Sequence, residues 1–387
     1  MFILWEQWNI LKLVKTSFLA VVGLAIVCGY GCATAPTPGA ALVPPDPFKL
    51  NQRLGLGVNL GNALDAPSEG DWGVVLTNEY FDLIKQAGFD SIRLPVRWSA
   101  HAMTNAPYTI DADFMQRVDW AVSNALSRNL PVILNIHHYT ELYTEPLAHK
   151  ERFMALWKQL AGHYQNYPDT LLLEIFNEPD DALTPELWNE WLKEAHAIIR
   201  KANPTKTIVI GAPNDSWPTY LKFLELPEDD HNIIVTVHYY FPHEFTHQGT
   251  EWFTHEKIVQ TIKDMEFVHM EIPEWATNGW NGDSTNWLGT TWTGTDKEKK
   301  EITDAFDIGA AWGKKHNRPV NLGEFGSYNK ADMESRGRWT KFIADTAVAR
   351  GMSFHYWEFC ADGFGLYDQQ TASFRKPLLD AVLPPKQ

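Results

Sequence analysis

Cysteine is nearly absent from this chain. Three occur in 387 residues: Cys28 and Cys32 near the N-terminus, and Cys360 alone near the other end. A disulfide within the body and a cysteine metal cluster are thereby excluded. Positive charge is also short: 33 Lys and Arg stand against 48 Asp and Glu, for a net charge of −15. An acidic body repels phosphate polymers and acidic polysaccharides, so no nucleic-acid partner is expected and neutral ligands are favoured. No membrane-length apolar run exists. The longest, Phe18–Cys28, has 11 residues, where a span takes about 20. Neither G-x-G-x-x-G after the first strand nor G-x-x-x-x-G-K-[ST] is found, which removes the common nucleotide-binding signatures.

Aromatic residues are what the chain has in excess: 17 Trp, 13 Tyr and 20 Phe. Most must fill a core, but flat rings also stack on the apolar faces of sugars. The apolar share of 44% supports a sizeable core and excludes disorder. At the N-terminus, Lys12 and Lys15 precede the Phe18–Cys28 run, and small residues follow it. That order reads as an export signal over 1–32. Gly31-Cys32 resembles the end of a bacterial lipoprotein signal, although the fit at Gly29 and Tyr30 is loose. The expected location is therefore secreted, or held outside a bacterial membrane by a lipid on Cys32; a buried N-terminal helix is the competing reading. Residues 33–46, with Pro36, Pro38, Pro44 and Pro45, read as an extended tether. One domain, 47–387, remains, and it is expected to be monomeric.

This body alternates short apolar runs with amphipathic ones. Strands are expected at Leu54–Leu60, Phe89–Pro95, Pro131–His137, Leu171–Asn177, Thr207–Gly211, Ile233–His238, Pro319–Glu324 and Ser353–Trp357. Helices are expected at Asn78–Ala87, Ala112–Arg128, Lys150–Asn166, Pro185–Lys201, Lys297–His316 and Glu334–Arg350, with a weaker one at Tyr220–Leu224. Eight strands with helices between them predict an α/β fold, a single (β/α)8 TIM barrel. Functional residues should then gather at the C-terminal strand ends. Those ends carry Asn59, Asn62 and Asp65; Arg93; His137-His138-Tyr139; Asn177-Glu178-Pro179; His238-Tyr239-Tyr240; Glu324; and Trp357-Glu358. Two carboxylates from different strands suit acid and nucleophile work at a glycosidic bond. Glu174, mid-strand, reads as a buried structural partner. Barrel hydrolases that use a metal usually carry H-x-H on the first strand; here that strand reads GVNLGN, so no catalytic metal and no cofactor are expected.

GVNLGNALDAPSEGDWG, SIRLPVRWS, LNIHHY, LEIFNEP, HYYFPHEFTHQG, LGEFGSY and YWEFC occur in this order. Together they resemble glycoside hydrolase family 5 over about residues 50 to 380, and in particular its broad-specificity endoglucanase/mannanases. The resemblance implies a retaining, endo-acting enzyme on β-1,4 glucans. Glu178 would be its acid/base and Glu324 its nucleophile. Asn177 would bond the sugar 2-hydroxyl, Arg93 and Tyr240 would hold Glu324 charged, and His137, His138 and His238 would line the cleft. Trp357 would stack under the sugar, and Asn62, Asp65, His247 and Trp252 would touch the chain. Two departures stand out. The family often has Glu where this chain has Asp65, and segment 253–286 is some thirty residues longer than usual. That insertion is expected either to wall the cleft or to fold onto the outer surface. A β-mannanase with minor glucanase activity and a non-catalytic polysaccharide binder are the rival readings.

Overall fold

A computed structural model describes residues 44–277 and 280–383; the expected export signal and nearly all of the tether lie outside them. Eight strands form a closed, wholly parallel barrel: β1 (Leu56–Asn59), β2 (Ser91–Leu94), β3 (Val132–Asn135), β4 (Leu171–Glu174), β5 (Ile208–Gly211), β6 (Ile233–His238), β7 (Val320–Glu324) and β8 (Ser353–Tyr356). β8 closes on β1, pairing Gly57 with His355. All eight expected strands are present, each within the run read for it. Nearly every strand residue is buried, as a parallel sheet between a filled interior and a helical shell requires.

The helices are α1 (Pro47–Leu54), α2 (Asn78–Ala87), α3 (Ala112–Ser127), α4 (Glu141–Thr144), α5 (Pro146–His163), α6 (Pro185–Ala202), α7 (His243–Thr246), α8 (His255–Val268), α9 (Asp296–His316), α10 (Met333–Val348) and α11 (Lys376–Val382). Their starts follow from local chemistry. Thr184 caps α6 with Pro185 in its first turn, and Thr295 and Glu298 form a capping box on α9, each satisfying otherwise unpaired N–H groups. Trp157, Trp188, Trp191, Trp312 and Trp339, read as packing residues, are all buried. No helix among the described residues is long and apolar enough to cross a membrane.

Three features depart from expectation. Leu54, placed in the first strand, instead ends α1. With Leu50 it packs on Ile133, Leu172, Val209 and Ile234 at the bottom of the barrel. α1 is too short for a periodicity signal, and of its apolar residues only Leu50 and Leu54, four apart, are buried, while Phe48 is exposed. The expected helix at Tyr220–Leu224 is a 3-10 segment, Pro218–Phe223. After β8 the chain adds a two-stranded hairpin, β9 (Tyr367–Asp368) and β10 (Ser373–Phe374), which no alternating pattern announced.

The barrel interior carries a polar network. Asn321 donates to Ser353 Oγ (2.7 Å), Ser353 to Asn51 Oδ1 on α1 (2.7 Å), and Ser91 Oγ lies 3.0 Å from His355 Nε2. These satisfied bonds fix the register beneath the site.

Candidate active site

Arg93 organises the C-terminal mouth of the barrel. It comes from β2, points inward and has no exposure. Its Nε and Nη2 donate to the two oxygens of Glu174, both at 2.7 Å. Nη1 donates to Glu324 Oε1 (2.6 Å) and Asn59 Oδ1 (2.9 Å), and Nη2 also reaches Asn177 Oδ1 (2.7 Å). Burial opposes its charge, but the two glutamates outweigh burial and push its pKa up. Glu174 is thus the buried partner expected of it.

Glu324 ends β7. Tyr240 Oη donates to its second oxygen at 2.9 Å. Burial raises its pKa above the ordinary carboxylate value, against the pull of the Arg93 guanidinium. Glu178, just past β4, is held differently. Its Oε1 lies 2.6 Å from His238 Nδ1, and its Oε2 accepts from Asn177 Nδ2 at 3.2 Å. Its side chain keeps 24% exposure and opens into the cleft. Burial is the main cause that lifts its pKa to about 7; Lys257 and Arg93 oppose it. Burial also brings His238 down to about 4, so this imidazole is neutral. A carboxylate oxygen of Glu178, one of Glu324 and a ring nitrogen of His238 all lie within 4.8 Å of one another. The glutamates, 146 positions apart in sequence, converge.

They face a cleft of about 660 Å³ lined by Asn62, His137, His138, Asn177, Tyr240, His247, Trp252 and Trp357, all expected there. Trp357 lies parallel to His137, at 2° and 5.4 Å between rings. Gly61 lets the β1 loop pass against it, since a Cβ there would sit 2.8 Å from Trp357 Cη2. Trp252 stands at the rim with 55% exposure. A cavity of about 870 Å³ between α8 and α9 is larger, but neither glutamate reaches it.

Three residues expected at the sugar are set back from it. Arg93 and His238 lie behind the glutamates that they bond. Asp65 has no exposure and turns toward its own loop, where Oδ1 accepts from Ala63 N at 2.9 Å. Its other oxygen is 4.0 Å from His138 Nε2. Burial lifts its pKa to about 7. Asp65 thus caps its own loop beside His138.

Two sets of three side chains could be considered for a metal: Glu178, His238 and Glu324, and Asp65, His137 and His138. In the first, Arg93 already neutralises Glu324 and would repel a cation. In the second, the 4.0 Å between Asp65 and His138 is wider than the roughly 3.4 Å that a tetrahedral zinc at about 2.1 Å from each ligand sets.

Several lining residues escaped the sequence reading. Trp72 sits edge-on to His138, 5.5 Å between rings; it belongs to a quoted motif, but no strand end pointed to it. Asp215 and Trp217 follow β5, whose end carried no polar signature. Phe253 and Lys257 come from the insertion. Its tryptophans Trp275, Trp280 and Trp287 instead pack on one another. Segment 253–286 thus contributes to the cleft wall, and its Phe253 also joins the apolar cluster of Ile258 and Trp287.

The model of the family "Cellulase (glycosyl hydrolase family 5)" matches residues 58–363. The chain belongs to glycosyl hydrolase family 5. Among curated relatives, Endoglucanase H of Acetivibrio thermocellus is 34% identical over 359 residues, covering 91% of this chain and 35% of that protein. The chain therefore spans about a third of that relative's length. Endoglucanase B of Clostridium cellulovorans is 26% identical, over 84% of this chain and 72% of its own. Among solved structures, Thermotoga maritima Cel5A in complex with mannotriose is 46% identical with a TM-score of 0.78, covering 87% of this chain and 100% of that one. The cellulose synthase subunit Z of Clostridioides difficile is 36% identical with a TM-score of 0.73, over 84% and 98%.

Proposed function

We propose that this family 5 protein is an endo-acting, retaining glycosidase that cuts internal β-1,4 bonds of glucans. The observation that carries the reading is the approach of Glu178 and Glu324 to within 4.8 Å. Retaining glycosidases hold their carboxyls about 5–5.5 Å apart, whereas inverting ones leave space for a water at roughly 6.5–9.5 Å.

The two environments support the division of labour. Arg93 and Tyr240 favour an ionised Glu324, the form that attacks the anomeric carbon. Glu178, with its pKa raised to about 7, keeps a proton for the leaving oxygen. The C–O bond breaks as that proton is delivered, and Glu324 becomes esterified to the sugar. Glu178, now a carboxylate, takes a proton from water as the water attacks the same carbon; Glu324 is released and Glu178 is protonated again. Asn177, held between Arg93 and Glu178, faces the sugar at this position, and Trp357 offers it a flat apolar floor. Both steps are carboxylate chemistry and call for no cofactor. Thermotoga maritima Cel5A has been solved in complex with mannotriose and with cellobiose, which favours testing mannans beside glucans. Export of the mature body, free or lipid-anchored, completes the proposal, since a polymer substrate of this kind lies outside the cell.

The test is reducing-end release by residues 47–387, beside Glu324→Gln, on carboxymethylcellulose, glucomannan and galactomannan. Hydrolysis of the glucan arms that is lost in the variant is the expected result, with the β anomer forming first by proton NMR. Faster cleavage of galactomannan than of carboxymethylcellulose would replace the reading with a mannanase. A folded protein inert on all three polymers would overturn it in favour of a polysaccharide binder.

A further inference from the structure

The insertion brings a cation to the acid side of the cleft. α8 is fixed beside the cleft by two apolar clusters. Met265 and Val268 pack with Trp217 and Tyr220, and Ile258 packs with Phe253 and Trp287. Thr254 Oγ1 caps its start by accepting from Lys257 N. The first turn of α8 thereby stands beside the loops after β4 and β5. Lys257 Nζ donates to Asp180 Oδ2 at 2.6 Å and lies 3.1 Å from Asp215 Oδ2.

Both aspartates are tied to Glu178. Asp180 follows it by two residues. Asp215 sits in a turn where Asn214, Asp215 and Ser216 all have positive φ, 56°, 50° and 57°. Three successive side-chain-bearing residues in that region are strained, and such strain persists only where the surroundings impose it. Here Asp215 N donates to Pro179 O (3.2 Å), Ser216 Oγ donates to Asn177 O (3.1 Å), and His238 N donates to Ser216 O (2.8 Å). The turn is bonded to both neighbours of Glu178 in sequence and to the histidine that holds it.

We propose that Lys257 is a positioning residue for Glu178 and that, paired with Asp215, it forms the polar wall of the subsite receiving the leaving sugar. This rests on the reading of Glu178 as the acid. The leaving oxygen must lie on the Glu178 side, and there Asp215, Trp217 and Lys257 line the cleft. The ammonium offers donors, and the carboxylate acceptors, to sugar hydroxyls. Charged and titratable groups surround Glu178 on every side: Arg93 from β2, Tyr143 from α4, Glu174 from β4, Asp180 and Asp215 from the loops, His238 from β6 and Tyr240 just after it, Glu324 from β7, and Lys257 from α8. The cations Lys257 and Arg93 lower its pKa, while Asp180 and Glu174 raise it. Removing the ammonium must therefore raise the pKa of Glu178 and extend activity to higher pH.

The experiment is kcat/KM against pH for the wild type, Lys257→Met and Lys257→Arg, on cellotetraose and on 2,4-dinitrophenyl β-cellobioside, with thermal unfolding of each protein. Lys257→Met is expected to move the alkaline limb up by about half to one pH unit. It should lower kcat/KM on cellotetraose about tenfold at its own optimum, but less than threefold on the aryl glycoside, whose leaving group needs neither a proton nor a sugar subsite. Lys257→Arg should restore the limb. A folded Lys257→Met protein with the wild-type limb and equal losses on both substrates would overturn the proposal. If that variant unfolds, Asp180→Asn takes its place: removing a neighbour that raises the pKa of Glu178 should move the limb down, and an unmoved limb would overturn the proposal equally. A wild type that cleaves neither substrate would instead reject the assignment of the site itself.

Discussion

The two glutamates meet at the barrel mouth, Glu324 as the last residue of β7 and Glu178 in the loop past β4, and their surroundings differ in kind. Glu324 is held by a buried guanidinium and a phenol, and both favour its charge. Glu178 is held by a neutral imidazole and a side-chain amide, while Lys257, which lowers its pKa, is engaged by two aspartates. Under the proposed mechanism one carboxyl would be kept ready to attack and the other ready to give up a proton, without any difference in intrinsic chemistry. The difference teaches that role follows from neighbours: from which strand supplies an arginine, and which a histidine.

The sharpest way to break this contrast is to neutralise each member. Glu324→Gln should lose on the order of 10⁴-fold or more of kcat on every substrate, since no covalent intermediate can form. Glu178→Gln should lose roughly 10²–10⁴-fold on polysaccharide, the usual worth of a general acid, while still being rapidly glycosylated by dinitrophenyl cellobioside, with a burst of dinitrophenol. Equal dependence of both variants on the leaving group would erase the distinction.

Next in size is Arg93→Met. It would leave Glu174 and Glu324 buried without their counter-ion, so urea unfolding should show a loss of about 3–5 kcal/mol. A loss below about 1 kcal/mol would mean that the nucleophile side is not organised by this ion cluster.

The pH profile tests the same contrast more gently. The acid must be protonated, so kcat/KM should fall as pH rises through about 7, where Glu178 titrates. Tyr240→Phe removes a bond to the charged form of Glu324, raising its pKa. The acid limb should therefore move up by about half a unit while the alkaline limb stays. Movement of the alkaline limb alone would reverse the assignments. The smallest effect should come from Trp252→Ala at the rim: a KM a few-fold higher on oligosaccharide with little change in kcat, because stacking on an exposed ring is worth about 0.5–1.5 kcal/mol.

Much of this was legible in the chain. Short apolar runs ending in Asn177-Glu178, Glu324 and Trp357 marked both the strands and the mouth, because a parallel strand buried on two faces has a plain signature and its functional residues follow it directly. The parts that were not legible share a physical cause. α1 is too short to show a period. β5 ends without a polar residue, and Asp215 reaches the cleft from within a left-handed turn that follows. In the insertion the tryptophans drew attention, yet they pack on one another, and it is Lys257 that enters the cleft.

The sequence by itself determined the alternation of elements, the closed barrel and the two glutamates, since periodicity and strand-end chemistry are local properties. Tertiary structure alone decided that one Arg93 would bridge Glu174 and Glu324, that His238 would stand behind Glu178, and that a lysine from the insertion would sit between Asp180 and Asp215. Those partners come from different strands and loops. Only the closing of the barrel, which packs distant segments around a common axis, brings their charges within a few ångströms of one another.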